Sequence, residues 1–215
     1  MERPILFSAP MVRAILDGHK TMTRRVVKPA WIPIIEESAR VNGHPALECL
    51  AGDIVQPYGS IGDRLWVRET FWQAASTSVN ENGECYGNWC HEVKYHEDST
   101  APKLGNTWGK RPSIFMPRWA SRITLEVTAV RVERLQEISD ADARSEGVDW
   151  SSPEPYGEKW DWEDREDPAE VGYPSSGASF ARDNFRRLWD SINRKKCPWD
   201  DNPWVWVIEF QRLAN

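Results

Sequence analysis

Met11, Val12, Ile15 and Leu16 recur at helical spacing, with Ser8 ahead of them as a cap, Pro10 in the first turn and Gly18 as the stop. Ile5 to Phe7, just before, reads as a short strand, and Thr23 to Val27, just after, as an extended segment halted by Lys28-Pro29. From Arg64 to Thr70, Leu65 and Val67 alternate with Arg64, Trp66 and Arg68, the pattern of a half-buried strand entered through the turn Gly59-Ser60-Ile61-Gly62-Asp63. A long β pattern from Ile123 to Leu135 shifts its apolar phase from odd positions (Ile123, Leu125, Val127) to even ones (Val130, Val132), which predicts a bulge or bend. Ser139 caps a predicted short helix, with Asp142 where a capping-box acid would sit and Gly147 at the exit. Phe185, Leu188, Trp189 and Ile192 mark an amphipathic helix over residues 179–193, and Trp204, Trp206, Ile208 and Phe210 form one face of a closing strand that ends at Arg212.

Three stretches between these elements lack sustained periodicity. Residues 29–57, with prolines at 33, 45 and 57, read as a loop with a short hairpin. Residues 74–117 are poor in aliphatic side chains and read as an insertion with little core of its own. Residues 149–178, with four prolines and three tryptophans, read as an irregular loop folded over a site as a lid. At least four β segments, few and short helices and no βαβ rhythm predict an α+β class, a small β-barrel with flanking short helices. At 215 residues the chain is expected to form a single domain, residues 1–215, carrying those three insertions.

Composition narrows the classes of function. No apolar run approaches the roughly 20 residues that span a bilayer, and Met1 to Phe7 leads into structural sequence without a secretory pattern, so a cytoplasmic protein is expected. Cys49, Cys85, Cys90 and Cys197 then read as free thiols. Cys85, Cys90, His91 and His96 fit no common zinc module, and no metal or other cofactor is expected. The net charge of −6 is unevenly spread. Residues 1–28 carry six basic residues against Glu2 and Asp17, whereas residues 140–170 carry twelve acids against three bases. A basic motif in an acidic chain suits a small anionic or polar ligand and is a poor footprint for long duplex nucleic acid. The thirteen tryptophans indicate large apolar contacts or ring-stacking surfaces.

The densest chemistry lies in Gly18-His19-Lys20-Thr21-Met22-Thr23-Arg24-Arg25. In a helical turn or tight loop, Lys20 and Thr23 would lie on one side of the backbone, and a desolvated amine beside a hydroxyl is one way to make a nucleophile. A helix C-cap followed by basic residues that complement its dipole is the simpler account of the same stretch. Glu146 falls at a helix exit, where its carboxylate meets the negative end of the dipole.

Taken in order, Asp17 to Arg25, Gly62-Asp63-Arg64-Leu65, Ile123-Thr124-Leu125-Glu126-Val127-Thr128, the helix ending in Glu146 and Val207-Ile208-Glu209-Phe210 resemble the ASCH-domain proteins, whose barrel is related to the PUA RNA-binding domain. These stretches cover under half of the chain. The Lys-x-x-Thr element is similar to that of the compact bacterial N4-acetylcytidine amidohydrolases, and the chain's size looks like that of longer, phage-associated members. The resemblance implies a catalytic set of Lys20, Thr23 and Glu146 and a modified cytidine as small-molecule partner; Arg24, Arg25, Trp66 and Arg68 are expected to bind the substrate. Residues 29–57, 74–117 and 149–178 have no counterpart in the compact enzymes.

Two routes use the same three residues. Thr23 attacks the acyl carbonyl with neutral Lys20 as its base, or water attacks with Glu146 as base while protonated Lys20 stabilises the oxyanion. Two other functions are open to the same sequence. A single-stranded RNA-binding module would draw on Arg24, Arg25 and the tryptophans, and a ribonuclease would be built on the same fold.

Overall fold

The computed structural model describes residues 1–45, 57–75, 78–79, 85–86, 89–96, 108–148 and 181–214. Along the chain run β1 (Glu2–Leu6), α1 (Ala9–Leu16), β2 (Met22–Val26), α2 (Ile32–Asn42), β3 (Arg64–Arg68), β4 (Phe71–Ala75), β5 (Ser78–Val79), β6 (Cys85–Tyr86), β7 (Trp89–Tyr95), β8 (Trp108–Arg111), β9 (Thr124–Arg134), α3 (Asp140–Ser145), α4 (Ala181–Asn193) and β10 (Trp204–Arg212). The class is α+β. One sheet has the order β1-β3-β9-β10-β2, a second the order β7-β4-β8, and β5 pairs with β6. No described helix is long and apolar enough to cross a membrane.

The chain divides into two compact units built from interleaved segments. The first comprises Met1–Gly18, Gln56–Thr128 and Phe210–Asn215. In it β1 runs parallel to β3, with Ile5 opposite Val67, and β3 pairs antiparallel with the start of β9, Leu65 opposite Leu125. The stretch expected to lack a core folds as β4 between β7 and β8. It buries Phe71 with Met116 and Ala120, against which Val93 and Tyr95 pack.

The second unit comprises His19–Val55 and Ala129–Glu209. Its strands β2 and β10 pair antiparallel in unbroken register, with Thr23 opposite Ile208, Arg24 opposite Val207 and Arg25 opposite Trp206. Strand alternation therefore gives two faces. Met22, Val205 and Val207 join Ala143 of α3 and Ala181, Phe185 and Trp189 of α4 in one apolar cluster. Trp206 lies on the other face, where the Trp31 ring meets it edge-on at 6.1 Å and the Arg134 guanidinium stacks 4.2 Å over Trp204. Every residue from Trp204 to Ile208 is buried, so β10 is covered on both faces rather than on the single face expected.

Three further expectations change. Residues 32–42 form helix α2 instead of loop: Pro33 occupies its first turn, where no backbone N–H is needed, and Gly43 at φ 75 closes it. The apolar phase of β9 breaks because Arg131 and Glu133 enter an ionic cluster, and the strand itself runs unbroken from Thr124 to Arg134. Ile192 is exposed, so the buried stripe of α4 is Ala181, Asn184, Phe185 and Trp189. The expected lid over 149–178 and the expected hairpin, in so far as it falls on 46–56, lie outside the described residues.

Candidate functional site

Helix α1 ends at Leu16, and Gly18 at φ 78 turns the chain out of it. The following residues are extended, which places Lys20 in an isolated antiparallel bridge with Glu146. Thr21 N donates to Ser145 O at 2.8 Å, fastening this segment to the end of α3. That end is fixed in turn at its start. The Ser139 hydroxyl accepts from Asp142 N at 3.1 Å, as the sequence predicts. The Asp142 carboxylate leaves the expected capping box and goes to arginines. Glu146 is the C-cap, and Gly147 at φ 80 terminates the helix.

Lys20 is buried, and its ammonium donates at 2.7 Å to each of three acceptors: Met22 O, Glu146 O and Glu146 Oε2. An amine that donates to all three of these oxygens at once does so in its charged form, with three N–H groups. Burial pushes the Lys20 amine below the usual lysine range; the Glu146 carboxylate opposes that shift, and Arg25 and Arg24 add to it. The same ammonium satisfies a carbonyl at the helix end and offsets a carboxylate in a poor position relative to the dipole.

Arg24 holds the other side of Glu146. Its NH1 donates to Glu146 Oε1 and Met22 Sδ, each at 3.3 Å. Its Nε reaches Glu133 Oε1 at 3.1 Å, and its NH2 reaches Glu133 Oε1 at 2.6 Å and Asp142 Oδ2 at 2.8 Å. All five guanidinium N–H groups are thereby occupied, and the Phe185 ring lies 5.8 Å from the guanidinium carbon. The network continues through Arg131, which bonds Asp142 at 2.7 Å, Glu133 at 3.0 Å and Glu209. It runs from a fully buried lysine to an arginine and a glutamate that are about one-third exposed.

This arrangement redistributes the residues singled out from sequence. Lys20 and Glu146, 126 positions apart, are brought into direct contact. Thr23 is buried at 3% exposure, but the extended backbone turns it to the opposite face of β2 from Met22 and Arg24, not onto one side of a turn with Lys20. Arg24 was expected at the substrate; with every N–H engaged inside the protein, it positions Glu146. Arg25 shares the Thr23 face, across from Trp206. Trp66 and Arg68 belong to the first unit, where Trp66 is buried and the Arg68 guanidinium stacks 4.7 Å over its ring.

Sequence reasoning missed Glu133, Asp142 and Arg131 as members of the site. The break in the apolar phase of β9 was the signal for Arg131 and Glu133. Among the described residues no group of three or more His, Cys, Asp or Glu is arranged to hold a metal ion. Cys197 is a free thiol, and burial raises its pKa above the usual range.

The sequence matches no protein-family model and no curated protein. Among solved structures, the chain is similar to an ASCH domain from Lactobacillus crispatus JV V101. The match has 11% identity and a TM-score of 0.39, covering 98% of this chain and 79% of that one. No residue role transfers at that distance, and the chemistry of the site rests on its own geometry.

Proposed function

We propose that this chain is an amidohydrolase that removes the acyl group from N4-acylated cytosine nucleosides, with water as the attacking group. The observation that supports this reading is the triply bonded Lys20 ammonium. The threonine route needs a neutral amine as base, whereas the water route needs the charged form. The substrate class comes from the Lys-x-x-Thr resemblance.

In the proposed reaction the acyl oxygen replaces one main-chain acceptor of Lys20, so an N–H already oriented by the fold turns toward the developing oxyanion. Glu146 takes a proton from water as the water oxygen bonds to the acyl carbon. Collapse of the tetrahedral intermediate breaks the bond from that carbon to N4. The proton on Glu146 passes to N4, releasing cytidine and a carboxylic acid. Arg24 keeps Glu146 aimed throughout. Its engagement inside the protein also removes one of the two arginines on which an RNA-binding role would draw.

Incubating the purified protein with N4-acetylcytidine and following cytidine by chromatography tests the reading. Steady release is expected, and no product at high enzyme concentration overturns it. Thr23→Val separates the routes: kcat within about tenfold of wild type is expected if the hydroxyl contributes one hydrogen bond. Complete loss of turnover in a folded variant that still binds substrate would make Thr23 the nucleophile.

A further inference from the structure

The face of β2 and β10 that carries Thr23 and Arg25 has a second feature. Trp206, directly across from Arg25 in the register, is only 1% exposed, and its indole N–H is buried with no hydrogen-bond partner among the described residues. An indole nitrogen is a donor only. Roughly nine in ten buried polar groups in folded proteins are paired, so a buried donor without a partner calls for an acceptor supplied from outside the fold. Thr23 stands opposite Ile208, two residues from Trp206 on the same face, which makes Thr23 and Trp206 diagonal neighbours about 7 Å apart at the backbone. Among the described residues the Thr23 hydroxyl also makes no hydrogen bond. The Trp31 ring, at 83° to Trp206, forms an aromatic wall beside them. Lys20 lies two residues ahead of β2, in the segment that leads into this strand.

We propose that the Trp206 indole N–H and the Thr23 hydroxyl form a base-recognition subsite that donates to the adjacent N3 and O2 acceptors of a cytosine ring, Trp206 to N3 and Thr23 to O2. Two neighbouring donors match two neighbouring acceptors, and the exocyclic N4 that bears the acyl group sits next to N3 on the same ring edge. The choice of cytosine rests on the amidohydrolase reading; the unpaired donors do not.

Isothermal titration of the full chain with cytidine and with 3-deazacytidine, in which a C–H replaces N3, tests the subsite without turnover. Wild type is expected to prefer cytidine by tenfold or more, since a site built to hydrogen-bond an atom rejects the analogue lacking it. In Trp206→Phe that preference is expected to fall to near one. Thr23→Val should weaken both ligands and keep the preference. Equal binding of the two ligands by wild type, no binding at millimolar concentration, or an unchanged preference in Trp206→Phe overturns the proposal. If Trp206→Phe does not fold, the indole N–H resonance of Trp206 in wild type decides. It should shift with cytidine and not with 3-deazacytidine, and a resonance indifferent to both, as for a donor held by a resident water, overturns the assignment. Selective binding without release of cytidine from N4-acetylcytidine leaves the subsite standing and removes the hydrolase. Turnover with an unchanged preference in Trp206→Phe does the reverse.

Discussion

The two faces of strand β2 treat polar groups in opposite ways. On one, every N–H of Lys20 and Arg24 is spent on a protein acceptor, and two of the acids Arg24 holds, Glu133 and Asp142, are held again by Arg131. On the other, the Trp206 indole N–H is buried without a partner among the described residues. Both faces bury polar groups, so burial alone does not mark a binding surface. A saturated cluster accepts a ligand only by giving up a hydrogen bond it already makes, whereas a buried donor without a partner costs stability until something supplies the acceptor. The ionic cluster thus acts as scaffold and proton chemistry, and the face that carries Trp206 is the better candidate for recognition.

The largest test of this contrast is Arg24→Met. It strands Glu133, Asp142 and Glu146 around an apolar side chain, and a loss of about 3–5 kcal/mol is expected in urea unfolding, the range for breaking a buried pair from one side. A loss below about 1 kcal/mol would mean the cluster is not holding the structure.

Lys20 gives a sharper test through pH. Burial holds the folded amine below its ordinary range, so above the folded value the unfolded chain carries the extra proton. Stability attributable to Lys20 therefore rises with pH from the lowered folded value to the ordinary lysine value and is flat below that window. Subtracting the Lys20→Met unfolding curve from that of wild type at each alkaline pH should leave this rise; a flat or falling difference contradicts it.

Ser139→Ala removes the cap of the helix that presents Glu146, and a loss of about 1 kcal/mol is expected by thermal or urea melting. Thr23→Val should do least, within about 0.5 kcal/mol, because it deletes a hydroxyl with no partner among the described residues and conserves volume. A loss larger than that of Ser139→Ala would show that Thr23 belongs to the saturated side after all.

The elements with strong local punctuation were legible in the sequence. Ser8, Pro10 and Gly18 bracket α1, Ser139 and Gly147 bracket α3, and alternation marks β3 and β9. Helix α2 was not, because its apolar residues form no clean stripe and Pro33 reads as a breaker until it is known to sit in a first turn. The contact of Lys20 with Glu146 joins residues 126 positions apart and had no local signal; only the resemblance suggested it. The Lys20–Thr23 pair misled for a different reason. Spacing of three favours one side in a helix but opposite sides in a strand, so an error in local conformation reverses the inferred site. The missing partner of Trp206 is a property of its surroundings in space and has no sequence signature.

The pairing of residues 22–26 with residues 205–209 also sets when the site comes into being. Lys20, Thr23 and Arg25 are synthesised before the strand that fixes them, which arrives some 180 residues later, at about ten to forty seconds for ordinary elongation rates. Until then the motif is an ordinary basic segment with no tryptophan across from it. The motif therefore acquires the geometry of its site only once β10 has been made.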